Sequence, residues 1–313
     1  MKKIVTLTMN PSIDKSAHIE HVTHDTKLRC HTVRSDPGGG GLNVSRAAAK
    51  LGGTSTAVYL SGGLEGGILN SLLERENILL KPVSIQSSIR ENLTILEDGS
   101  SQQFRFGMPG PDVSSKELDM VYKTLEGILD EETIIAASGS LPESVPSDYY
   151  AVIGTLAASK GSLFIADTSG PALKKVLSAG SLFLIKPNLR ELGQLSGKKV
   201  LEQPEIREAA VQLVSDGRVK NVVVSLGAGG ANLLHSTTKI KNYSPVVTVD
   251  SRIGAGDSMI AGIALSLAEG KSLEDAVRLG VAAGAAAVMT PGTELCRRAD
   301  AQRIYNEVGT TVL

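Results

Sequence analysis

The chain has 313 residues, a formal net charge of −1 and an apolar fraction of 42%. This length suits one large α/β domain, or a main domain with a small attachment, and the apolar fraction is ample for a core. Near-neutral charge, only 3% aromatic residues and the absence of Trp argue against a nucleic-acid-binding protein. Cys30 and Cys296 cannot form a disulfide framework, and their surroundings show no metal-binding spacing.

The N-terminal segment predicts a strand, not a signal peptide. Its apolar run, residues 4–9, is short, contains Thr and ends at Asn10-Pro11. No other run reaches the ~18 apolar residues of a membrane span. We therefore expect a cytoplasmic protein without a membrane partner.

Residues 14–35 follow this strand. Asp14 comes directly after it, where open α/β sheets place ligand-contacting side chains, although an isolated Asp is often only a turn former. Residues 15–35 alternate weakly and predict one or two strands with an exposed face. On such a strand Lys27 and Arg29, two residues apart, would point the same way.

Four consecutive glycines, Gly38–Gly41, precede a predicted helix. The backbone there must bend sharply or approach a ligand closely. The run is not a Walker A loop, since no Gly-Lys-Ser/Thr follows, and it lacks a convincing G-x-G-x-x-G pattern, which disfavours a dehydrogenase. Asn43 could present its amide to substrate hydroxyls, or simply begin the helix.

Three strand-like runs between residues 79 and 107, together with residues 15–35, predict a second, small sheet. We expect it to form a β lid from about 15–35 and 88–107. Its basic residues favour contact with an anion, with scattered solvated charges as the alternative. They are Lys27, Arg29, Arg90 and Arg105.

From residue 117 onward, predicted helices and strands alternate regularly. This pattern predicts an α/β fold of one domain, 1–313, with a doubly wound, mostly parallel sheet flanked by helices. Residues 245–249 (PVVTV) predict one more strand. Ser272 is a plausible N-cap of the helix that follows it.

Polar residues recur where these strands end, and such ends converge in the ligand-binding crevice of an open sheet. They include Ser140, Asp167, Lys186, Asn188, Ser225 and Asp257. Asn188 and Glu191, three residues apart, could supply oxygen ligands to Mg²⁺ or form a helix capping box. The small-residue turn 225–230 could hold a flat ring or a phosphate, or close a β-hairpin.

The segment Gly254-Ala255-Gly256-Asp257 precedes a long helical run. Free amides and the helix dipole at such a start favour an anion, and Asp257 adds a base. Taken alone, the segment fits a capped turn better than a catalytic centre. Together with the early glycines and the basic lid, it fits phosphoryl transfer, with Asp257 as the base and the 254–257 loop as the anion hole.

Three motifs carry a resemblance that covers nearly the whole chain. Residues 39–45 (GGGLNVS), 188–191 (NLRE) and 253–258 (IGAGDS) resemble the signatures of the ribokinase-like, PfkB-type carbohydrate kinases. Within that family, runs such as KLRC, RENL and SLGAGGA are most similar to the second bacterial type of 6-phosphofructokinase. The resemblance implies a glycolytic phosphotransferase that converts fructose 6-phosphate to fructose 1,6-bisphosphate with ATP and Mg²⁺.

The same resemblance implies roles for individual residues. The sugar would be held by Asp14, Gly39, Gly40, Asn43 and Ser140, and its phosphate by Lys27, Arg29, Arg90 and Arg105. The nucleotide and Mg²⁺ would be held by Lys186, Asn188, Glu191, Ser225, Gly227 and Gly230. A K⁺ site would use Ser251, Ile253, Ala287, Thr290 and Gly292. Such enzymes also form homodimers through the lid, and some are inhibited by ATP.

The sequence departs from the family's motif at two positions, and other functions remain open. Ser251 and Arg252 replace the Asp and small hydroxyl residue that many relatives carry before these glycines, which leaves K⁺ activation open. Tagatose-6-phosphate kinase and 1-phosphofructokinase are close alternatives, because few motif residues would change. A catalytically silent sugar- or nucleotide-binding regulator is the alternative from another class, but such a protein would have no need of Asp257.

Overall fold

The computed structural model describes residues 1–100, 102–180, 182–198, 203–236 and 238–313. The strands are β1 (Lys3–Thr8), β2 (Ser12–Ile19), β3 (His31–Gly38), β4 (Thr56–Gly62), β5 (Leu79–Ile85), β6 (Arg90–Glu97), β7 (Gln103–Phe106), β8 (Thr133–Ser138), β9 (Leu163–Asp167), β10 (Leu182–Ile185), β11 (Val219–Ser225), β12 (Ala231–Leu234), β13 (Lys239–Tyr243) and β14 (Gly309–Val312). The helices are α1 (Gly40–Lys50), α2 (Gly63–Leu73), α3 (Ser115–Glu126), α4 (Tyr149–Ser159), α5 (Gly170–Ala179), α6 (Leu189–Ser196), α7 (Gln203–Ser215), α8 (Ala255–Ala268), α9 (Leu273–Ala287) and α10 (Arg298–Glu307).

The large sheet runs in the order β14-β13-β12-β11-β10-β9-β8-β1-β4-β5 through the described residues. From β11 to β5 neighbouring strands are parallel, whereas β11 to β14 are antiparallel. Helices connect the parallel strands, as a parallel crossover requires. The predicted mostly parallel, doubly wound sheet is therefore confirmed.

Two apolar cores lie on opposite faces of this sheet. Alternation along β1 sends Val5 and Leu7 to one core and Ile4 to the other. Side chains of α2 to α7, with Leu42 of α1, fill the first core. The other apolar side chains of α1 fill the second core with those of α8, α9 and α10. Helices therefore cover both faces of the sheet, and the carboxyl ends of its parallel strands, where ligands bind in such folds, lie together at one edge.

The small sheet has the order β3-β2-β6-β7, with β2 and β6 parallel and the outer pairs antiparallel. The predicted second sheet is therefore present. Short segments connect it to the large sheet between β1 and β2 and between β5 and β6, and β3 leads through Gly39 into α1. Ser101, inside the predicted lid range, lies outside the described residues.

Three local predictions were wrong. Lys27 and Arg29 lie in the exposed connection 20–30 between β2 and β3, not on a strand. Asp14 lies on β2, two residues into the small sheet, not in a turn that closes β1. Residues 245–249 form no strand, because β13 already pairs with β12 on one side and with the C-terminal β14 on the other.

Among the described residues, no helix is both long and apolar enough to cross a membrane.

Candidate active site

Asp257 lies in the first turn of α8, directly after a backbone turn that only glycine suits. Gly254 has a left-handed φ of 75°, and a Cβ there would collide with the Leu295 side chain. The Ser258 amide is the first to bond within the helix, to the Gly254 carbonyl at 2.8 Å. The amides of Ala255, Gly256 and Asp257 precede it and are therefore the free donors of the helix start.

Two side chains from distant parts of the chain hold the Asp257 carboxylate. Asn43 Nδ2 donates to Oδ2 at 3.0 Å, and Ser138 Oγ donates to Oδ1 at 3.3 Å. Asn43 belongs to the start of α1, and Ser138 ends β8. The helix that follows the early glycines and the helix that begins with the GAGD segment thus meet at one carboxylate.

Burial raises the pKa of Asp257 from its ordinary value of 3.8 to about 6, and the nearby Asp167 carboxylate contributes to the rise. The hydrogen bond from Asn43 and the charge of Lys186 act in the opposite direction. Asp257 is consequently ionised near neutral pH, yet it is a stronger proton acceptor than an ordinary aspartate. That balance suits a general base.

Lys186 lies at the end of β10, beside Gly256 in the first turn of α8. Its Nζ is 3.2 Å from Asp167 Oδ1, and a Cβ on Gly256 would lie 3.2 Å from the same Nζ. Burial alone would lower the pKa of Lys186, but the carboxylates of Asp167, Asp257 and Glu191 raise it overall. The ammonium is therefore charged next to the free amides, where it can meet a phosphate.

The glycine run packs against the ends of β1 and β8. A Cβ on Gly41 would collide with the Leu7 carbonyl, and one on Gly40 would collide with Ser138 Oγ. Gly39 has a φ of 112°, which L side chains rarely adopt. Close packing against β1 and β8 therefore explains part of the need for glycine here. This contact could not be read from the sequence.

Asp14 and Arg90 meet on one face of the small sheet. Asp14 Oδ1 accepts hydrogen bonds from Ser12 Oγ at 2.7 Å and from Asn92 Nδ2 at 2.8 Å. Burial lowers the pKa of Arg90, whereas the charge of Asp14 raises it. The two guanidinium amino groups of Arg90 donate to the carbonyls of Asn10 and Met108, at 3.3 and 3.4 Å, while its buried Nε has no partner among the described residues.

The strand register places Arg105 on that same face. Arg105 pairs with Thr94, and Thr94, Asn92 and Arg90 are spaced two residues apart on β6 and so share one face. Its side chain is exposed. Lys27 and Arg29 are also exposed, and the structure does not bring them into contact with Asp14 or Arg90. None of the three forms a hydrogen bond or an ion pair within the described part of the chain.

The sequence did not identify Asn10 as a site residue. Asn10 is buried at the end of β1, and its Nδ2 donates to Ser140 Oγ at 3.1 Å. Its Oδ1 has no partner in the part of the chain that the structure describes. Asn10 and Ser138 carry the same signal that identified the other residues, a polar side chain at the end of a parallel strand.

Asn188 and Glu191 form the capping box of α6. Asn188 Oδ1 accepts from the Glu191 amide and Glu191 Oε2 accepts from the Asn188 amide, both at 2.9 Å. A β-bridge joins Asn188 to Ser225, so the ends of β10 and β11 are adjacent. The capping interpretation is correct, and it leaves Glu191 Oε1 outside the box.

The turn 225–230 closes the antiparallel hairpin of β11 and β12, so the hairpin interpretation is also correct. Gly227 has a φ of 59° and open space where a Cβ would lie, whereas a Cβ on Gly230 would collide with the Asn242 carbonyl of β13. Hairpin packing alone therefore requires glycine at 230. Gly227 leaves room for a ligand.

The residues of the expected K⁺ site lie in two neighbouring segments. Ser251 Oγ donates to the Gly292 carbonyl at 3.0 Å, and the Ile253 amide donates to Ser251 Oγ at 3.2 Å. The Ala287 carbonyl accepts from Thr290 Oγ1 at 2.8 Å. In the described residues, no group of three or more His, Cys, Asp or Glu side chains could hold a metal ion.

Comparisons with known proteins agree with this geometry. Residues 5–300 match the model of the pfkB family carbohydrate kinases. The chain is 40% identical to the ATP-dependent 6-phosphofructokinase isozyme 2 of Escherichia coli K12 over 307 residues, which are 97% of this chain and 98% of the relative. It is also 40% identical to the protein of that name from Mycobacterium tuberculosis H37Rv over 303 residues, 97% of this chain and 89% of the relative.

Solved structures give the same result. Phosphofructokinase-2 from Escherichia coli in complex with potassium superposes with a TM-score of 0.94, at 40% identity and over 98% of this chain and 99% of that one. Its complex with fructose 6-phosphate gives a TM-score of 0.92, at 39% identity and the same coverage. The expected ribokinase-like fold and kinase activity are confirmed, and the chain belongs to the pfkB family of carbohydrate kinases.

Proposed function

We propose that the protein transfers the γ-phosphoryl group of ATP to the 1-hydroxyl of fructose 6-phosphate, which forms fructose 1,6-bisphosphate and ADP. The observation that carries this proposal is the Asp257 carboxylate, held by Asn43 and Ser138 beside the free amides of α8. The names of the relatives that are 40% identical supply the substrate.

In this reaction Asp257 accepts the proton of the attacking hydroxyl as the O–P bond forms and the bond to the ADP oxygen breaks. The amides of the 254–257 loop and the dipole of α8 stabilise the negative charge on the phosphoryl group in the transition state of its transfer. The raised pKa of Asp257 makes it a better proton acceptor while it is still ionised near pH 7.

The sugar side of the site is proposed to comprise Asp14, Asn43, the 39–40 backbone and Ser140, with Asn10 added from the structure. Arg90 and Arg105 share the face of the small sheet that carries Asp14, which supports them as ligands of the sugar's phosphate. For Lys27 and Arg29, contact with that phosphate requires movement of the connection 20–30 or a second copy of the chain. The small sheet is accordingly proposed to act as the lid of a single domain, 1–313.

On the nucleotide side, Lys186 beside Gly256 is proposed to hold the transferred phosphate, and Ser225, Gly227 and Gly230 to line the nucleotide. The donor set fits Mg²⁺, because the capping box uses only Oε2 of Glu191 and Mg²⁺ keeps waters and phosphate oxygens as most of its ligands. Asn188 and Glu191 would hold it through water. When bound, it would neutralise charge on the ATP phosphates.

A K⁺ site between residues 251–253 and 287–292 is also proposed. The hydrogen bond between Ser251 Oγ and the Gly292 carbonyl shows that the two segments are adjacent, which supports a cradle of backbone oxygens. Backbone ligands tolerate the side-chain changes at Ser251 and Arg252. Equal initial rates in K⁺ and in tetramethylammonium buffers would contradict this site.

The experiment that tests the function is a coupled ADP-release assay with fructose 6-phosphate, fructose 1-phosphate, tagatose 6-phosphate and ribose. The proposal predicts the highest kcat/KM for fructose 6-phosphate. A higher value for tagatose 6-phosphate or for fructose 1-phosphate would assign the protein to one of the two related kinases. No sugar-dependent ADP release with any of them would favour a catalytically silent binding protein.

A further inference from the structure

Arg46 is a buried cation that the reaction described above does not use. It lies on α1, one turn after Asn43, and only 3% of it is exposed. A charged side chain is rarely buried to this extent unless it is paired, and each of its contacts therefore needs a reason.

The guanidinium of Arg46 makes four contacts. Its Nε donates to Glu76 Oε1 at 2.9 Å, which forms an ion pair just after α2. Its terminal nitrogen Nη1 lies within hydrogen-bonding distance of the Pro37 carbonyl at 3.0 Å, of Asn43 Oδ1 at 3.2 Å and of the Thr293 carbonyl at 3.4 Å. Arg46 thus connects the end of β3, the start of α1 and the loop after α9.

The contact with Asn43 determines how that amide is oriented. An asparagine amide has one accepting end and one donating end. With Oδ1 facing the Arg46 guanidinium, Nδ2 faces Asp257 Oδ2 at 3.0 Å. The flipped amide would place an NH₂ group against the guanidinium and an oxygen against the carboxylate, so both contacts would be repulsive.

We propose that Arg46 is a positioning residue for the kinase reaction: its guanidinium orients the Asn43 amide so that Nδ2 donates to Asp257 and holds the carboxylate in place to receive the proton. This inference rests on the proposed role of Asp257 as the base. None of the hydrogen bonds of Arg46 described above reaches the Asp257 carboxylate itself, and Arg46 acts on it through Asn43.

The alternative is that Arg46 merely anchors α1 through its buried ion pair with Glu76. The two roles predict different effects on Asp257. Four groups face Asp257: the neutral side chains of Asn43 and Ser138, and the charged side chains of Asp167 and Lys186. Of these four, Arg46 contacts only Asn43 in the hydrogen bonds described above. Loss of the ion pair with Glu76 would lower the stability of the fold. Loss of the amide orientation would weaken the hydrogen bond from Asn43 to Asp257. Because this hydrogen bond lowers the pKa of Asp257, its weakening would raise that pKa.

The test is the pH dependence of kcat/KM for fructose 6-phosphate at saturating ATP, measured for the wild type and two variants. Arg46→Lys keeps the positive charge for Glu76 but loses the planar fork that serves Glu76 through Nε and Pro37 and Asn43 through Nη1. Glu76→Gln is the matched control, since it removes the ion pair while it keeps an acceptor for Nε. The phosphate of the substrate also titrates near pH 6, but equally for every variant.

We expect Arg46→Lys to move the acid limb upward by about half to one pH unit, because the loss of one hydrogen bond to the charged form changes the pKa by that order. Glu76→Gln should lower the melting temperature without this upward shift. An unmoved limb in Arg46→Lys, or an equal upward shift in both variants, would overturn the inference. In Asn43→Ala, adding Arg46→Lys should cause no further shift.

A second readout does not depend on turnover. The Asp257 carboxyl is titrated in the substrate-free protein by ¹³C NMR, with its signal assigned by its loss in Asp257→Asn. A higher pKa in Arg46→Lys than in the wild type supports the inference even if the substrate is a different sugar phosphate. Unchanged titration in a folded Arg46→Lys protein contradicts the inference and leaves the proposed function intact.

Discussion

The chemistry of the site depends on a few side chains around Asp257 that come from distant parts of the chain. Asn43 and Asp257 are separated by 214 positions, yet they are joined by a 3.0 Å hydrogen bond. Ser138 and Lys186 reach the same place from the ends of β8 and β10.

Replacing the base should abolish most of the turnover. Asp257→Asn keeps the size of the side chain and removes its ability to accept the proton, so we expect kcat to fall by roughly 100- to 10,000-fold. ATP affinity, measured by calorimetry in the absence of sugar, should change little. Turnover near the wild-type rate would contradict the role assigned to Asp257.

The same variant should also change how stability depends on pH. The folded-state pKa of Asp257, about 6, lies above its ordinary 3.8. Its protonated form therefore stabilises the fold below pH 4, and this contribution is lost as the pH rises through 6. Asp257→Asn should thus raise the melting temperature relative to the wild type more at pH 8 than at pH 4. A constant difference between these pH values would show that the carboxyl is not destabilised by burial.

Arg90 should contribute to binding of the sugar's phosphate, not to the chemical step. Because a charge-assisted hydrogen bond contributes about 1.5–3 kcal/mol, Arg90→Ala should raise KM for fructose 6-phosphate by about tenfold or more with a smaller effect on kcat. Arg207→Ala, at an exposed arginine on α7, is the control. An unchanged KM in Arg90→Ala would place the phosphate elsewhere.

Individual helices and strands place these residues through end effects that are partly visible in the sequence. Ser272 was predicted to cap α9, and its side chain accepts a hydrogen bond from the Asp275 amide at 3.1 Å. The α9 helix packs closely on α8, so its stability supports the catalytic helix. Such caps can be tested without touching the site.

Removing the α9 cap should destabilise the protein. Ser272→Ala is expected to lower the free energy of unfolding by about 1 kcal/mol. Ser169→Ala is the matched control, because Ser169 occupies the same position before α5 and makes no side-chain cap hydrogen bond. Urea unfolding curves for both variants measure the difference. Equal losses would show that the Ser272 hydrogen bond contributes nothing.

Much of the site could be predicted at the level of elements because parallel strands end at the same edge of a sheet. Asp167, Lys186, Asn188 and Ser225 were found in this way. What could not be predicted depends on partners distant in sequence. The PVVTV segment has good strand propensity, but β14 from the C-terminus occupies the edge of β13 that β12 leaves open.

The connection that carries Lys27 and Arg29 illustrates the same limit. Its weak alternation resembled a strand, but β2 ends at Ile19 and β3 begins only at His31. Arg46 was missed for a related reason, since its partners Glu76 and Thr293 are distant in sequence. The local sequence pattern indicates which helix or strand forms, whereas contacts between distant residues determine which side chains come together.

For the whole molecule, the face of the small sheet that points away from Asp14 is the proposed homodimer surface. Val33, Leu93 and Phe106 are exposed there. Register places Leu93 and Phe106 on that face, and alternation from Ser35, which pairs with Lys15, places Val33 there too. Phe106→Asp should therefore convert a dimer to monomers in light scattering. Val152→Asp, at a similarly exposed apolar residue of α4, should not. A monomeric wild type, or a Phe106→Asp dimer, would contradict this surface.

The proposed reaction can be tested directly by product identification with ³¹P and ¹³C NMR, using the wild-type protein, ATP, Mg²⁺ and fructose 6-phosphate. The proposed reaction should give one ADP for each fructose 1,6-bisphosphate formed, with the new phosphate on the 1-hydroxyl, and almost no product in the same time with Asp257→Asn. ADP formation without a new sugar phosphate, or equal product from Asp257→Asn, would contradict it.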